Sequence, residues 1–234
     1  MSTPTLIIGN KNYSSWSLRP WLLLRQFGIA FDEVKLTLDT PEFHARIGDY
    51  SAAGRVPVLL DGDLHVWDSL AIAEYVNERF LDGRGWPQAR ADRAEARAIS
   101  AEMHSGFAAL RRELPMNCRK RVRADSIGAG STGVDSIGAG GMSADAARDV
   151  ARVKDIWRNA RGRHADAGAF LFGAFGIADA MYAPVVMRFI SYDVALGPVE
   201  RAYVDAIVAL TALQQWLADA ATEALSPAHE QMRP

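Results

Sequence analysis

The sequence has a single cysteine, Cys118, among 234 residues. No intrachain disulfide can form, and a reducing compartment suits the chain. Lysine and arginine number 26 against 28 aspartates and glutamates, a formal net charge of -2. That balance offers no cationic excess to read as a nucleic-acid or anionic-membrane surface. No stretch reaches the roughly 18 consecutive apolar residues that span a bilayer. The first residues show no basic segment followed by an apolar one, so a cleaved signal peptide is not expected. The five histidines are scattered without a spacing such as HxxxH, and no metal is expected. What remains is 49% hydrophobic and 23% charged, ordinary for a globular protein of one large or two small domains. Together these features predict a cytoplasmic soluble protein with neither nucleic acid nor membrane as partner.

The chain is organised around residues 10–19, NKNYSSWSLR. The apolar run Leu6-Ile7-Ile8 ahead of it reads as a buried strand ending at Gly9. A helical pattern follows from Ser17, with Pro20 in the first turn, where its missing N–H has no partner to lose. Trp21, Leu22, Leu24 and Phe27 give that helix an apolar face, and Gly28 fits its end. Ser14 and Ser15 therefore fall at a strand-to-helix junction, where free N–H groups and the helix dipole favour an anion.

Residues 31–38 alternate as a second strand, and Pro41–Ile47 as a short helix. Val56–Leu60 and Leu64–Trp67, around Asp61-Gly62, read as a hairpin. Pro57 heads the third strand, as a cis peptide or as an ordinary trans proline at a strand start. Asp68 or Ser69 then caps a helix burying Leu70, Ile72, Ala73 and Val76. The order β-α-β-α-β-β-α predicts a small α/β sheet, parallel in its first half with an antiparallel hairpin at one edge.

Three motifs in this order, SSWSLRPWLLL, GRVPVLLDG and WDSLAIAEYVNERF, resemble the thioredoxin-like domain of the glutathione S-transferases. The first is closest to the zeta class, whose pattern is Ser-Ser-Cys-x-x-Arg. Ser14, Ser15 and Arg19 match it, and Trp16 stands in place of the cysteine. Ser51-Ala52 replace a usual Asn-Pro ahead of Val56-Pro57, and Asp68 replaces a longer acid or amide ahead of Ser69 and Ile72.

The resemblance implies glutathione as co-substrate, its thiol activated as a thiolate. Ser14 matches the family's catalytic serine, with Ser15 and Tyr13 as rival hydroxyls, although both serines could simply cap the helix. Val56, ahead of a cis Pro57, would pair with the tripeptide backbone as an added strand. Asp68 and Ser69 would hold its γ-glutamyl end, and Arg55 or His44 could reach its glycyl carboxylate. Arg19 could add positive charge near the site or be a solvated helix residue.

Leu81–Pro87, LDGRGWP, reads as a linker between a thioredoxin-like domain at 1–80 and an all-helical domain at 88–234. Ile99, Met103, Phe107, Leu110 and Leu114 recur at helical steps, predicting one helix over Ala89–Leu114. Further helices are expected at Ser143–Ala165, Ile177–Ile190, Pro198–Leu210 and Thr211–Ala221. Asp179, three residues after Gly176, matches the family's buried helix-start acid and is expected to serve folding. Residues 124–143 repeat DSIGAG and read as a flexible loop. Their GAGSTG lacks the strand and βαβ unit of a phosphate site. The resemblance places the electrophile against the long helix, with His104, Met103 and Phe107 as contacts, although Met103 and Phe107 also suit core packing.

The expectation is a homodimeric glutathione S-transferase attacking an apolar electrophile. Its alternatives are a glutathione-dependent cis–trans isomerase of maleyl-type diacids and a scaffold without turnover. A reductase would need a cysteine at the helix start, and Cys118 lies far along the chain.

Overall fold

The computed structural model describes residues 3–122 and 142–230, so almost all of the repeat loop lies outside the described residues. Four strands form one mixed sheet: β1 (Thr5–Ile8), β2 (Asp32–Lys35), β3 (Val58–Asp61) and β4 (Leu64–Trp67), in the order β2-β1-β3-β4. β1 pairs parallel with β2, with Ile7 opposite Val34, and antiparallel with β3, with Ile7 opposite Val58. β3 and β4 form the expected hairpin, with Gly62 at φ 61 in its turn. The alternating side chains of a strand divide two cores. Leu6 and Ile8 enter the larger one, whereas Ile7 joins Leu36, Phe43, Ile47 and Val58 in a smaller one. The second strand is shorter than the alternation over 31–38 predicts. It lies at the sheet edge, and Phe31 and Leu36 are buried beyond its ends.

Helices α1 (Ser15–Gln26), α2 (Pro41–Tyr50) and α3 (Ser69–Phe80) complete this thioredoxin-like part. α1 begins two residues before the predicted start, because the Ser14 side chain accepts from the Ser17 N–H and caps it. Pro20 consequently lies inside the helix, beyond the first turn. The rest of the described chain is helical: α4 (Arg90–Ser105), α5 (Ala108–Glu113), α6 (Ala144–His164), α7 (Ile177–Ser191), α8 (Pro198–Val208), α9 (Thr211–Thr222) and α10 (Pro227–Glu230). The single helix predicted over 89–114 is in fact two. Its periodicity holds, but α4 stops at Gly106, where a Cβ would lie 2.8 Å from the Glu102 carbonyl oxygen, and Phe107 turns left-handed at φ 58.

α7 is buried almost all round and packs on α1 and α4, as an apolar central helix should. The larger core is continuous across both parts, with Trp21 of α1 against Trp216 of α9 at 5.1 Å between ring centroids. The 81–87 segment is packed as well: Gly85 N–H donates to Asn77 Oδ1 at 2.8 Å, and the Gly85 carbonyl accepts from Ile177 N–H at 2.9 Å. A Cβ on Gly85 would meet that Asn77 oxygen at 2.8 Å, which accounts for glycine there. Among the described residues, no helix is long and apolar enough to cross a membrane.

Candidate functional site

The loop between β1 and α1 is fixed from outside the sheet. The Glu223 carboxylate accepts from the backbone N–H groups of Lys11 at 2.9 Å and Asn12 at 3.1 Å. Trp216 Nε1 donates to the Lys11 carbonyl at 2.9 Å, and Cys118 N–H to the Asn12 carbonyl at 3.1 Å. A loop held by α9 and the 115–120 segment presents the next residues with little freedom. Those residues, Tyr13 to Trp16, face two neighbouring cavities.

The first cavity, about 360 Å³, is lined by Trp16, Arg55, Val56, Pro57, Trp67, Asp68, Ser69 and His104. Val56-Pro57 is a cis peptide bond. Val56 precedes β3, and its N–H and C=O enter no backbone hydrogen bond among the described residues. Asp68 has φ 76, a left-handed conformation rare for a residue with a side chain. Its Oδ1 caps α3 by accepting from Leu70 N–H at 2.8 Å and Ala71 N–H at 3.3 Å, and its Oδ2 lies 3.2 Å from His104 Nε2. Burial lowers the His104 pKa despite Asp68, with Arg19 and Arg111 opposing protonation too. His104 is therefore placed beside the α3 cap, on the Val56 side of the site.

The second cavity, about 230 Å³, is lined by Tyr13, Ser15, Trp16, Arg111, Pro115, Met116, Asn117, Lys120, Arg188, Tyr192, His229 and Glu230. Trp16 lines both, at their shared border. Its ring lies between two guanidiniums, Arg19 at 4.4 Å and Arg111 at 4.7 Å, a doubled cation–π contact. Arg19 is 1% exposed and donates Nη1 to Ser69 Oγ at 3.3 Å. Its Nε and Nη2 have no partner among the described residues. Burial, then Arg111 and Arg188, hold its pKa well below the usual guanidinium range.

The adjacent hydroxyls are divided. Ser14 Oγ donates to Ser17 Oγ at 2.7 Å, accepts from Ser17 N–H, and lines neither cavity. Ser15 lines the second cavity, and its hydroxyl makes no hydrogen bond among the described residues. Tyr13 also lines that cavity, but its hydroxyl donates to Glu230 and accepts from Ser226 N–H at 3.2 Å, and its ring stacks on His229 at 4.7 Å. Phe107 lies in the core at the α4–α5 break, in neither cavity, as does Met103. His44 packs against Phe43 and lines neither cavity. The structure thus gathers Arg55, Val56, Pro57, Asp68, Ser69 and His104 around one cavity, and Tyr13 and Ser15 around the other.

Sequence reasoning missed Trp67, Arg111, Lys120, Arg188 and Glu230. One signal was present: Arg188 interrupts the apolar run MYAPVVMRFIS, where a solvated arginine would be out of place.

Residues 13–79 match the family model for the glutathione S-transferase N-terminal domain. The chain is 42% identical over 62 residues to dichloromethane dehalogenase from Methylorubrum extorquens, covering 26% of this chain and 21% of that protein. A dehalogenase of the same name from Methylophilus leisingeri is 40% identical over 63 residues, covering 25% and 22%. The chain therefore spans about a fifth of the length of these curated relatives. The fold extends much further. A glutathione transferase homolog from Burkholderia, solved with bound glutathione, superposes with a TM-score of 0.67 at 21% identity, over 95% of this chain and 100% of that one. The theta-class glutathione S-transferase of Xanthomonas axonopodis pv. citri, also with glutathione bound, gives 0.62 at 22% identity, over 97% and 100%. The thioredoxin-like part and the helical part together have the glutathione S-transferase fold.

Proposed function

We propose that the chain is a glutathione transferase that binds glutathione in the cavity between the Val56-Pro57 turn and the start of α3. The observation carrying this reading is the free backbone of Val56, ahead of a cis proline. It faces a cavity shared with Asp68, Ser69 and Trp16 of the α1 start. An extended peptide can add to such a backbone as a strand. Ser69 at a helix start suits the γ-glutamyl carboxylate, Asp68 the α-amino group, and Arg55 the glycyl carboxylate. His104, paired with Asp68, would support that amino-group acceptor.

The thiol then lies towards the start of α1, whose dipole favours the thiolate. We assign the hydroxyl donor to Ser15, because the Ser14 hydroxyl is engaged by Ser17 and that of Tyr13 by Glu230. Ser14, Ser15 and Arg19 support a zeta-like site, from which Trp16 departs. The name of the curated relatives suggests a carbon–chlorine bond as the one broken. The thiolate would attack carbon, a carbon–sulfur bond would form, and chloride would leave.

Calorimetry with glutathione, followed by conjugation to chlorodinitrobenzene, tests the reading, and no binding at millimolar glutathione would overturn it. Ser15→Ala should raise the pKa of the bound thiol by about one unit, equivalent to roughly 1.4 kcal/mol, read from thiolate absorbance against pH. Ser14→Ala should instead cost about 1 kcal/mol of stability through the lost cap. The reverse pattern would return the thiol to Ser14.

The cationic lining of the second cavity supports the isomerase alternative, whose diacid substrate needs such anchors. Turnover of maleylacetoacetate without conjugation of any halide would favour that reading.

A further inference from the structure

The second cavity collects positive charge that no ion pair among the described residues neutralises. Arg111, Lys120 and Arg188 line it, and none of them forms an ion pair among the described residues. Arg188 is 4% exposed on the otherwise apolar α7 and gives its Nη1 to the carbonyls of Leu114 and, at 3.4 Å, Arg111. Arg111 donates to the carbonyls of Gly106 at 3.0 Å and of Met103. Lys120 lies over the Tyr192 ring at 5.1 Å. Carbonyls and ring faces orient these cations; Asp149, outside the lining, attracts Arg111, but burial outweighs it and depresses both arginines, Arg188 to about 9. Over the Trp16 ring, Arg19 adds a fourth cation, its Nε and Nη2 without partner among the described residues. Buried cations without a counter-ion are costly unless something supplies one.

Among the described residues, only one carboxylate lines this cavity, that of Glu230. It is bound by neutral donors, the Tyr13 hydroxyl and Asn117 Nδ2 at 3.1 Å, and not by the cations. Around them, Pro115, Met116 and Tyr192 supply apolar surface. The lining therefore has room and chemistry for an organic body with one anionic end.

We propose that the second cavity binds a small carboxylate-bearing electrophile, its carboxylate held by Arg188, Lys120 and Arg111 and its organic body against Met116 and Tyr192. The electrophilic carbon then faces Ser15. This replaces the apolar electrophile expected from the sequence. It rests on the glutathione reading only for what attacks that carbon, since the carboxylate site stands on its own residues.

The test separates the two. Binding of meta-substituted dinitrobenzoate and of its neutral amide, dinitrobenzamide, is measured on the full chain by calorimetry without glutathione. The benzoate is expected to bind about tenfold more tightly than the amide, a preference that weakens as salt is raised. Lys120→Gln, at a half-buried position, and Arg188→Met should each reduce the benzoate-to-amide ratio several-fold, with circular dichroism confirming the fold. Equal binding of the two ligands, or an unchanged ratio in a folded Lys120→Gln protein, would overturn the proposal even if glutathione binds. A retained preference in a protein that binds no glutathione would support the carboxylate site while sinking the transferase reading.

Discussion

A guanidinium that is 1% exposed, with Nε and Nη2 unpartnered, destabilises a fold unless something compensates. For Arg19 the visible compensation is small: the Trp16 ring, one bond to Ser69 and the charge of Asp68. The proposed rationale is functional, since Arg19 contacts both Trp16, which lines both cavities, and the hydroxyl at the start of α3. Arg19→Met should therefore change unfolding free energy by no more than about 1 kcal/mol in either direction, the lost cation–π contact offsetting the relieved burial. Glutathione affinity should fall about tenfold, roughly 1.4 kcal/mol. Chemical denaturation and calorimetry read the two quantities. A large loss of stability with unchanged affinity would make Arg19 a packing residue only. The sequence exposed Arg19 through its spacing from Ser14 and Ser15. It could not divide the two serines, because the cap and the first helical residue differ by one register step. That step is decided by Ser17, whose N–H and hydroxyl both engage Ser14.

At the scale of elements, patterns that rest on local chemistry were legible: the hairpin at Asp61-Gly62, the Asp68 cap, and the helix starting at Ile177. The break between α4 and α5 was not, because the apolar spacing continues straight through it. The close approach of Gly106 to the Glu102 carbonyl of the preceding turn and the left-handed Phe107 end the helix. The start of α7 gives a sharper case. Asp179, 1% exposed, accepts from Gly176 N–H at 2.9 Å and Leu171 N–H at 3.0 Å. Burial nevertheless pushes its carboxyl from 3.8 up to about 6. The folded state thus holds this proton more tightly than the unfolded chain. The contribution is fully present below pH 3.8 and is lost as pH rises through about 6, a change of roughly 3 kcal/mol. The stability advantage of the native protein over Asp179→Asn should shrink across that window in denaturant titrations at several pH values. A gap that widens with pH would mean that the two N–H donors outweigh burial. Asp179→Ala, which leaves both donors orphaned, should cost about 2–4 kcal/mol below pH 3.8, and that cost should shrink across the same window.

Across the whole molecule, the two sides of the site are carried by one core. The thioredoxin-like motifs of the first eighty residues made that part readable, because the proline turn and the capped helix of this fold follow one another in fixed order. The second cavity was not readable. Arg111 and Lys120 share one stretch, but Arg188 and Glu230 come from distant ones and meet them through α7 packing and the return of α10. The same packing makes the parts interdependent. α1 is fully buried at Leu18, Trp21, Leu22, Leu23 and Leu24. Much of that burial is against α7 and α9, and the 10–13 loop is held by Glu223. Cutting the chain after Pro87 would expose this surface and release the loop that presents Ser15. The full chain should unfold in one cooperative transition, with tryptophan fluorescence and far-ultraviolet circular dichroism coinciding. A fragment of residues 1–87 should show no cooperative transition and no glutathione binding. Independent folding of that fragment, or two resolved transitions in the full chain, would show that the helical part is an addition to the glutathione site and not part of its foundation.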